Sequence, residues 1–330
     1  MKTAVAAMVI SFLIAVIIGM PIIKYLAKLK FGQKILEIGP KWHMNKQYTP
    51  TMGGIIFIIS IIITNLLLTY SLVFIGEIKY IALLIFSIAF GLIGFLDDYT
   101  KVVKKRNLGL TASQKLVLQI AASILFISAL RIFGLVTPNV YIPFVNAEIP
   151  VPWILFLAFA VFVVVGCTNA VNLTDGIDGL ATSVTIPVCI FFMLVAIRVE
   201  NYPVMIFAGC LVGSLIGFLI FNYNPAKVFM GDTGSLFLGG AVVSMAFALD
   251  LPLILIPVGI IYIYEAISVI LQVSYFKITG GKRLFKMAPV HHHYEMKGYT
   301  EKQIGAIFTL ITIVMCVISY KFGLEMYLKF

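Results

Sequence analysis

Asp97 and Asp98 stand side by side directly after Tyr80–Leu96, a stretch of seventeen residues without a charge. Lys101, Lys104, Lys105 and Arg106 follow at once. Adjacent carboxylates raise one another's pKa, and an apolar surround adds to the cost. A nearby cation or metal ion relieves that cost. Two readings fit the pair: a stop signal where an apolar helix ends, or a reactive site.

Three further segments carry polar residues in unusual density. In Asn169–Gly179 (NAVNLTDGIDG), Asn172, Asp175 and Asp178 recur at i, i+3 and i+6, with no Lys or Arg between them. On a helix that spacing puts all three on one face, with Gly176 and Gly179 leaving room for a ligand. The same residue types also make caps and turns. In Phe221–Ser235 an Asn-Pro turn and Lys227 lead into Gly231-Asp232-Thr233-Gly234-Ser235. Asp232 is either a helix N-cap or an oxygen ligand for a divalent ion. Mg²⁺ is typically held by one or two carboxylates plus substrate phosphate oxygens. His291-His292-His293 sits internally after Ala288-Pro289, and the only other histidine is His43. A structural zinc site would need more ligands nearby. The triplet is therefore a solvated loop, a phosphate-binding group or a proton carrier.

The elements that hold these residues are membrane helices. Of the 330 residues 61% are hydrophobic and 12% charged, and the mean hydropathy is +1.07. A soluble domain carries about 25% charged residues. A spanning helix needs about 20 apolar residues. Ten stretches qualify, near 3–23, 53–70, 80–96, 116–133, 152–170, 180–197, 203–221, 234–249, 252–273 and 304–322. The first is too long for a signal h-region of about 7–15 residues and no A-x-A site follows, so it reads as a span. The expected fold is an all-α polytopic membrane protein of ten transmembrane helices in a single domain over residues 1–330.

Ten spans put both termini on one side. Of the 24 Lys and Arg residues, eighteen fall in loops 24–52, 97–115, 171–179, 222–233 and 274–303, and six elsewhere. The positive-inside rule places the eighteen in the cytoplasm and both termini outside, in the periplasm or extracellular space. The same alternation puts all the unusual polar segments on the cytoplasmic face, together with Thr49–Gly54 (TPTMGG). Polarity of ordinary loops would appear on both faces. One composite active site at the cytoplasmic membrane boundary is the economical reading.

The remaining groups are less specific. Basic residues beside a membrane attract anionic head groups at about 1 kcal/mol each, which is the default for most of Lys24–Lys46. Lys101, Lys105 and Lys115 share a loop with the Asp pair and are candidates for substrate phosphates. Glu265, inside the ninth span, is expected to be a buried carboxyl hydrogen-bonded to Ser, Tyr or Gln. Cys167, Cys189, Cys210 and Cys316 lie in apolar runs without metal-ligand spacing and read as core residues. No Walker or kinase signature is present, so ATP is not indicated. Acids, histidines and lysines gathered at one face suggest phosphate chemistry on a membrane-bound substrate.

Lys46–Gly54 (KQYTPTMGG), Asp97–Lys101 (DDYTK), Gly109-Leu110 with Lys115, Asn169–Gly179, Asn222–Ser235 and Ala288–Glu295 (APVHHHYE) together resemble the phospho-N-acetylmuramoyl-pentapeptide transferase family. The Asp-Asp, Asn-x-x-Asp and Gly-Asp motifs resemble the wider polyprenyl-phosphate sugar-1-phosphate transferases. TPTMGG and PVHHHYE resemble the muramoyl-pentapeptide branch. The resemblance spans essentially the whole chain. It implies transfer of phospho-MurNAc-pentapeptide from UDP-MurNAc-pentapeptide to undecaprenyl phosphate, giving lipid I and UMP, with Mg²⁺. It implies ten spans, a homodimer in the bacterial inner membrane, membrane lipid around it and no nucleic-acid partner. By motif position Asp232 resembles the Mg²⁺ ligand, and Asp97 the group that deprotonates the lipid phosphate, with Asp98 in support. Asn172, Asp175, Asp178, Asn222 and Phe229 resemble the nucleotide pocket. Lys46, Thr51, Lys115 and the histidines resemble further essential or substrate-contacting positions, with His291 taken as catalytic. Lys101 is expected to hold substrate charge beside the pair. A sister transferase using UDP-GlcNAc is the nearest alternative. A transporter is the distant one, because it would gather polar groups near the bilayer midplane.

Overall fold

The computed structural model describes residues 1–29, 46, 49–103, 109–325 and 327–329. Lys104, Lys105, Arg106, His43 and the lysines at 30, 34 and 41 lie outside them. Apolar runs without water must satisfy their backbone internally, and helices do so within one segment. The chain accordingly forms α1 (Lys2–Lys28), α2 (Gly54–Phe74), α3 (Lys79–Val103) and α4 (Ala112–Ile132). A short antiparallel hairpin follows, β1 (Asn139–Ile142) paired with β2 (Ala147–Pro150), with Asn139 opposite Pro150. Then come α5 (Trp153–Thr174), α6 (Leu180–Arg198), α7 (Tyr202–Asn222), α8 (Gly231–Ala248), α9 (Leu255–Val258), α10 (Ile260–Ile278), α11 (Val290–Glu295) and α12 (Glu301–Ile318). The hairpin departs from an all-helical expectation. Its turn uses Phe144 and Asn146 at positive φ.

Nine helices among the described residues are long and apolar enough to cross a membrane. The one expected span outside that set is α8. It is 18 residues long, and it opens with Gly, Asp, Thr, Gly and Ser. Every residue from Thr233 to Phe247 is buried by protein. A helix that meets no lipid does not need a lipid-like composition; it needs small residues for close packing. The ninth expected span is also irregular. It divides into a 3₁₀ turn at Pro252–Ile254, α9 and α10, with Gly259 at the break.

α8 is the centre of the bundle. It packs along α3, with α5 on another side. Gly94 of α3 lies on the Asp232 backbone so closely that a Cβ there would collide with the Asp232 carbonyl. The tightest outer seam is α1 against α7. Gly209, Gly213 and Gly217 recur every four residues on α7 and face Ala4, Ala7, Met8, Ser11, Phe12 and Ala15 of α1. This is the small-xxx-small pattern that lets helix backbones touch in lipid. Hydroxyls inside the bundle bond back to their own helices, as Thr168 does to the Val164 carbonyl at 2.9 Å and Ser87 to Leu83 at 2.7 Å. The four cysteines are free thiols, three buried and Cys167 half-buried.

Candidate active site

α3 continues past the end of its uncharged run, so Asp97 and Asp98 lie on the helix rather than in the loop expected from the sequence. The consequence is geometric. Asp97 and Lys101 become an i, i+4 pair, with Lys101 Nζ 2.6 Å from Asp97 Oδ2. The other Asp97 oxygen accepts the Leu110 N–H at 2.8 Å. Gly109 is pressed against Asp97, where any Cβ would strike its carboxyl group. Asp98 points toward α8. Its Oδ2 accepts from Thr233 N at 2.9 Å and from Thr233 Oγ1 at 2.7 Å, and its Oδ1 accepts from Asp232 N at 3.2 Å. Asp98 therefore caps the start of α8 from a neighbouring helix, satisfying N–H groups that have no partner within α8.

That cap fixes Asp232, which is the node of the site. Asp232 Oδ2 receives Lys101 Nζ at 3.0 Å and Lys115 Nζ at 3.1 Å. Asp232 Oδ1 receives Asn172 Nδ2 at 2.8 Å, and Asn172 also reaches Ser235 Oγ at 2.7 Å. Lys115 is held on the first turn of α4 by a Thr111–Gln114 capping box. One carboxylate oxygen from each of Asp97, Asp98 and Asp232 lies within 4.8 Å of the other two. Three carboxylate donors at that spacing suit a hard divalent cation. Lys101 and Lys115 balance part of the negative charge.

Asn172, Asp175 and Asp178 do not share a helix face, because α5 ends at Thr174. Asn172 sits on the last turn and turns toward Asp232. Asp175 caps the helix end and Asp178 lies in the following turn. Burial raises the Asp175 carboxyl well above its ordinary value, and the charges of Asp232, Asp98 and Asp178 add to this. Asp178 bonds instead to the next loop: its Oδ2 accepts from Ala226 N at 2.9 Å and Asn224 Nδ2 at 3.1 Å. Its Oδ1 pairs with Lys46 Nζ at 2.7 Å.

A cavity of about 230 Å³ lies among these groups. Lys46, Thr51, Asp98, Lys101, Asn172, Asp175, Asp178, Asn222, Phe229, Asp232 and His292 all line it. Thus eleven of the fifteen residues singled out from the sequence share one chamber. Asp97 and Lys115 flank it through Lys101 and Asp232. Asn222 also braces the wall, accepting from Thr182 Oγ1 at 2.8 Å and donating to the Val228 carbonyl at 3.0 Å. Phe229 ties the Thr49–Gly54 segment in place by its backbone, donating to the Pro50 carbonyl at 2.9 Å and accepting from Gly53 N at 2.7 Å.

The histidines divide. His292 faces the cavity, with Nδ1 2.6 Å from Glu295 Oε2. His291 is fully buried behind the wall. His293 does not line the cavity: its Nδ1 accepts from Lys286 N at 3.1 Å, and its ring meets Phe285 edge-on. Glu265 is buried as expected, but its side chain faces His291 rather than a Ser, Tyr or Gln; Oε2 lies 3.1 Å from His291 Nδ1. Sequence reasoning passed over Glu301. It occupies the first turn of α12, pairs with Lys46, and accepts the Asp178 N–H at 2.9 Å. Its only local signal, an acid after the Thr300 cap, is that of an ordinary helix start.

Comparison with known proteins decides the kinship. Residues 46–58 match phospho-N-acetylmuramoyl-pentapeptide-transferase signature 1, and residues 80–250 match the glycosyl transferase family 4 profile. A phospho-N-acetylmuramoyl-pentapeptide-transferase of Clostridium perfringens (strain 13 / Type A) is 48% identical over 317 residues, covering 96% of this chain and 97% of that protein. One from Clostridium acetobutylicum is 46% identical over 97% of this chain and 99% of its own length. One from Staphylococcus carnosus is 44% identical, covering 96% and 98%. The chain belongs to the phospho-N-acetylmuramoyl-pentapeptide-transferase family. Both matched regions carry the site. The signature spans Lys46, Thr51 and the Gly53-Gly54 approach to α8, and the longer profile spans Asp97 through Asp232.

Proposed function

We propose that the chain transfers phospho-MurNAc-pentapeptide from UDP-MurNAc-pentapeptide to undecaprenyl phosphate, forming lipid I and releasing UMP. The observation that carries this reading is Asp232, held among Lys101, Lys115, Asn172 and the Asp97-Asp98 pair beside a cavity, in a chain of this family. The acceptor phosphate oxygen attacks the sugar-bound phosphorus of the nucleotide sugar. A new P–O bond forms, the bond to the bridging oxygen breaks, and UMP leaves with that oxygen. A phosphate monoester has a second pKa near 6, so the attacking oxygen is largely unprotonated at pH 7 and little base strength is required. The demand is instead for positive charge and alignment. Lys101 and Lys115, already within 3.1 Å of one carboxylate oxygen, are placed to move onto phosphate oxygens. Asn172 holds Asp232 still. The Asp178–Lys46–Glu301 chain shapes the far wall.

Mg²⁺ fits the Asp97, Asp98 and Asp232 oxygens, with Asp232 as the principal ligand. When bound it supplies Lewis-acid neutralisation of the diphosphate. Both Asp97 oxygens are engaged, by Leu110 N–H and Lys101. The acceptor phosphate is itself largely unprotonated and nucleophilic at pH 7, so the reading is direct attack by the lipid phosphate rather than a covalent aspartyl intermediate.

The membrane arrangement belongs to the same proposal: ten spans, both termini outside, the site on the cytoplasmic side of the inner membrane, and a homodimer. α8 is the tenth span. At 1.5 Å per residue its 18 residues are about 27 Å long, close to a hydrocarbon core of about 30 Å. The test is Mg²⁺-dependent UMP release in detergent with undecaprenyl phosphate as acceptor. UMP from UDP-MurNAc-pentapeptide is expected. Release from UDP-GlcNAc alone would replace the reading with the sister activity.

A further inference from the structure

The proposed reaction makes no use of Glu265. It sits on α10, 0% exposed, inside a helix long and apolar enough to span a membrane. An intramembrane carboxyl is costly and persists where it has a partner. Among the described residues its cation-capable neighbour is His291, also 0% exposed. Glu265 Oε2 lies 3.1 Å from His291 Nδ1 and accepts the His291 N–H at 3.4 Å. Glu265 Oε1 and both ring nitrogens of His291 have no hydrogen-bond partner among the described residues, so Glu265 meets the ring as a close carboxylate at Nδ1 and holds His291 by its backbone N–H.

His291 is in turn the back of the cavity wall. Its ring packs edge-on against His292, centroids 4.2 Å apart, and His292 lines the cavity. On its other side it meets Gly176, another lining residue. A Cβ on Gly176 would land on His291 Nε2 and Cε1. A buried carboxylate 3.1 Å from Nδ1, itself accepting the His291 backbone N–H, favours the ring orientation that keeps Nδ1 beside it. Turning the His291 ring would push on both the His292 imidazole and the Asp175-Gly176 turn.

We propose that Glu265 is a positioning residue. It fixes the His291 ring from inside the membrane bundle, and His291, wedged between Gly176 and His292, fixes the wall that receives the nucleotide sugar. The proposal rests on the transferase reading, and the experiment separates the two. Wild-type protein, E265Q, H291Q and E265Q/H291Q are assayed for UMP release with the nucleotide sugar and the polyprenyl phosphate varied separately. Binding of the UDP-sugar is measured by calorimetry on the same preparations. Absence of UMP release by the wild type would defeat the transferase reading, whereas the binding comparison still tests Glu265. E265Q is expected to lower kcat/KM for the nucleotide sugar about tenfold, the size met when a histidine loses its outer partner, and to leave KM for the polyprenyl phosphate unchanged. The double variant is expected to be no worse than H291Q. Native kcat/KM and UDP-sugar affinity in E265Q would overturn the proposal, as would losses that multiply in the double variant. Should E265Q fail to fold, G176A crowds His291 with Glu265 intact. A tenfold loss in G176A that H291Q masks is expected, and undiminished turnover in G176A would overturn the idea.

Discussion

Replacing Asp232 by Asn is the most informative single perturbation, because the change is isosteric and removes one charge. In the native site Lys101 and Lys115 converge on Oδ2 at 3.0 and 3.1 Å, while Asn172 donates to Oδ1. An amide can keep the Asn172 bond through its carbonyl. Its NH₂ group then faces two ammonium groups, donor against donors. At an effective dielectric near 20 each lysine loses roughly 5 kcal/mol of gross attraction. Desolvation offsets most of that, and removing one member of a buried pair costs about 3–5 kcal/mol net. These side chains are 17–23% exposed, which discounts the cost to about 2 kcal/mol of stability. Catalysis should suffer more. On the proposed mechanism the variant loses the principal oxygen donor for the divalent ion, and it releases Lys101 and Lys115 from Oδ2. A fall in kcat of at least a thousandfold is expected, about 4 kcal/mol at 1.36 kcal/mol per decade. UMP release at saturating substrates, repeated across a Mg²⁺ titration, measures it. Turnover within tenfold of native at the same Mg²⁺ half-saturation would refute the assignment of Asp232 as the node.

Further outcomes follow from other contacts. E301Q is expected to raise KM for the nucleotide sugar about tenfold by releasing Lys46 and the Asp178 N–H; unchanged KM would show that Lys46 needs only Asp178. G213L on the α1–α7 seam would drive a side chain into the Met8 carbonyl, so overpacking should cost about 3 kcal/mol or more, read as a lower melting temperature in detergent. Burial pushes the Asp250 carboxyl up to about 6, against two bonds from Thr137 that pull it down. A folded-state pKa raised from 3.8 gives stability that is complete below about pH 4 and lost as the pH climbs through 6. The loss is on the order of 2–3 kcal/mol, and D250N should abolish the slope between pH 4 and 7. Intact-mass analysis of protein quenched during turnover should find no phospho-sugar adduct on Asp97 or Asp98. Its capture would replace direct attack with a two-step route.

The amino-acid sequence alone determines the kind of molecule and which segments carry its chemistry. Apolar runs of membrane length can satisfy their backbone only as helices, so Tyr80–Leu96 and its counterparts were legible without tertiary information. The polar density of Asp97-Asp98, Asn169–Gly179, Gly231–Ser235 and His291–His293 was equally legible, because each stands out against the apolar runs beside it. What the sequence could not settle is which atom meets which. Asp98 reads as a partner of Asp97, yet it spends its oxygens capping α8, and that depends on Gly94 letting α3 touch the Asp232 backbone. The i, i+3, i+6 spacing of Asn172, Asp175 and Asp178 suggested one helical face. The helix stops at Thr174, and the three residues go to Asp232, the helix end and the Asn224–Ala226 turn. The three histidines look equivalent in a row, but only one faces the cavity. Glu301, 255 residues from Lys46, carries only the local mark of an ordinary helix start. Hydropathy is a property of segments and survives in one dimension. The roles of single carboxylates are set by long-range packing at the ångström scale, and only the assembled bundle decides them.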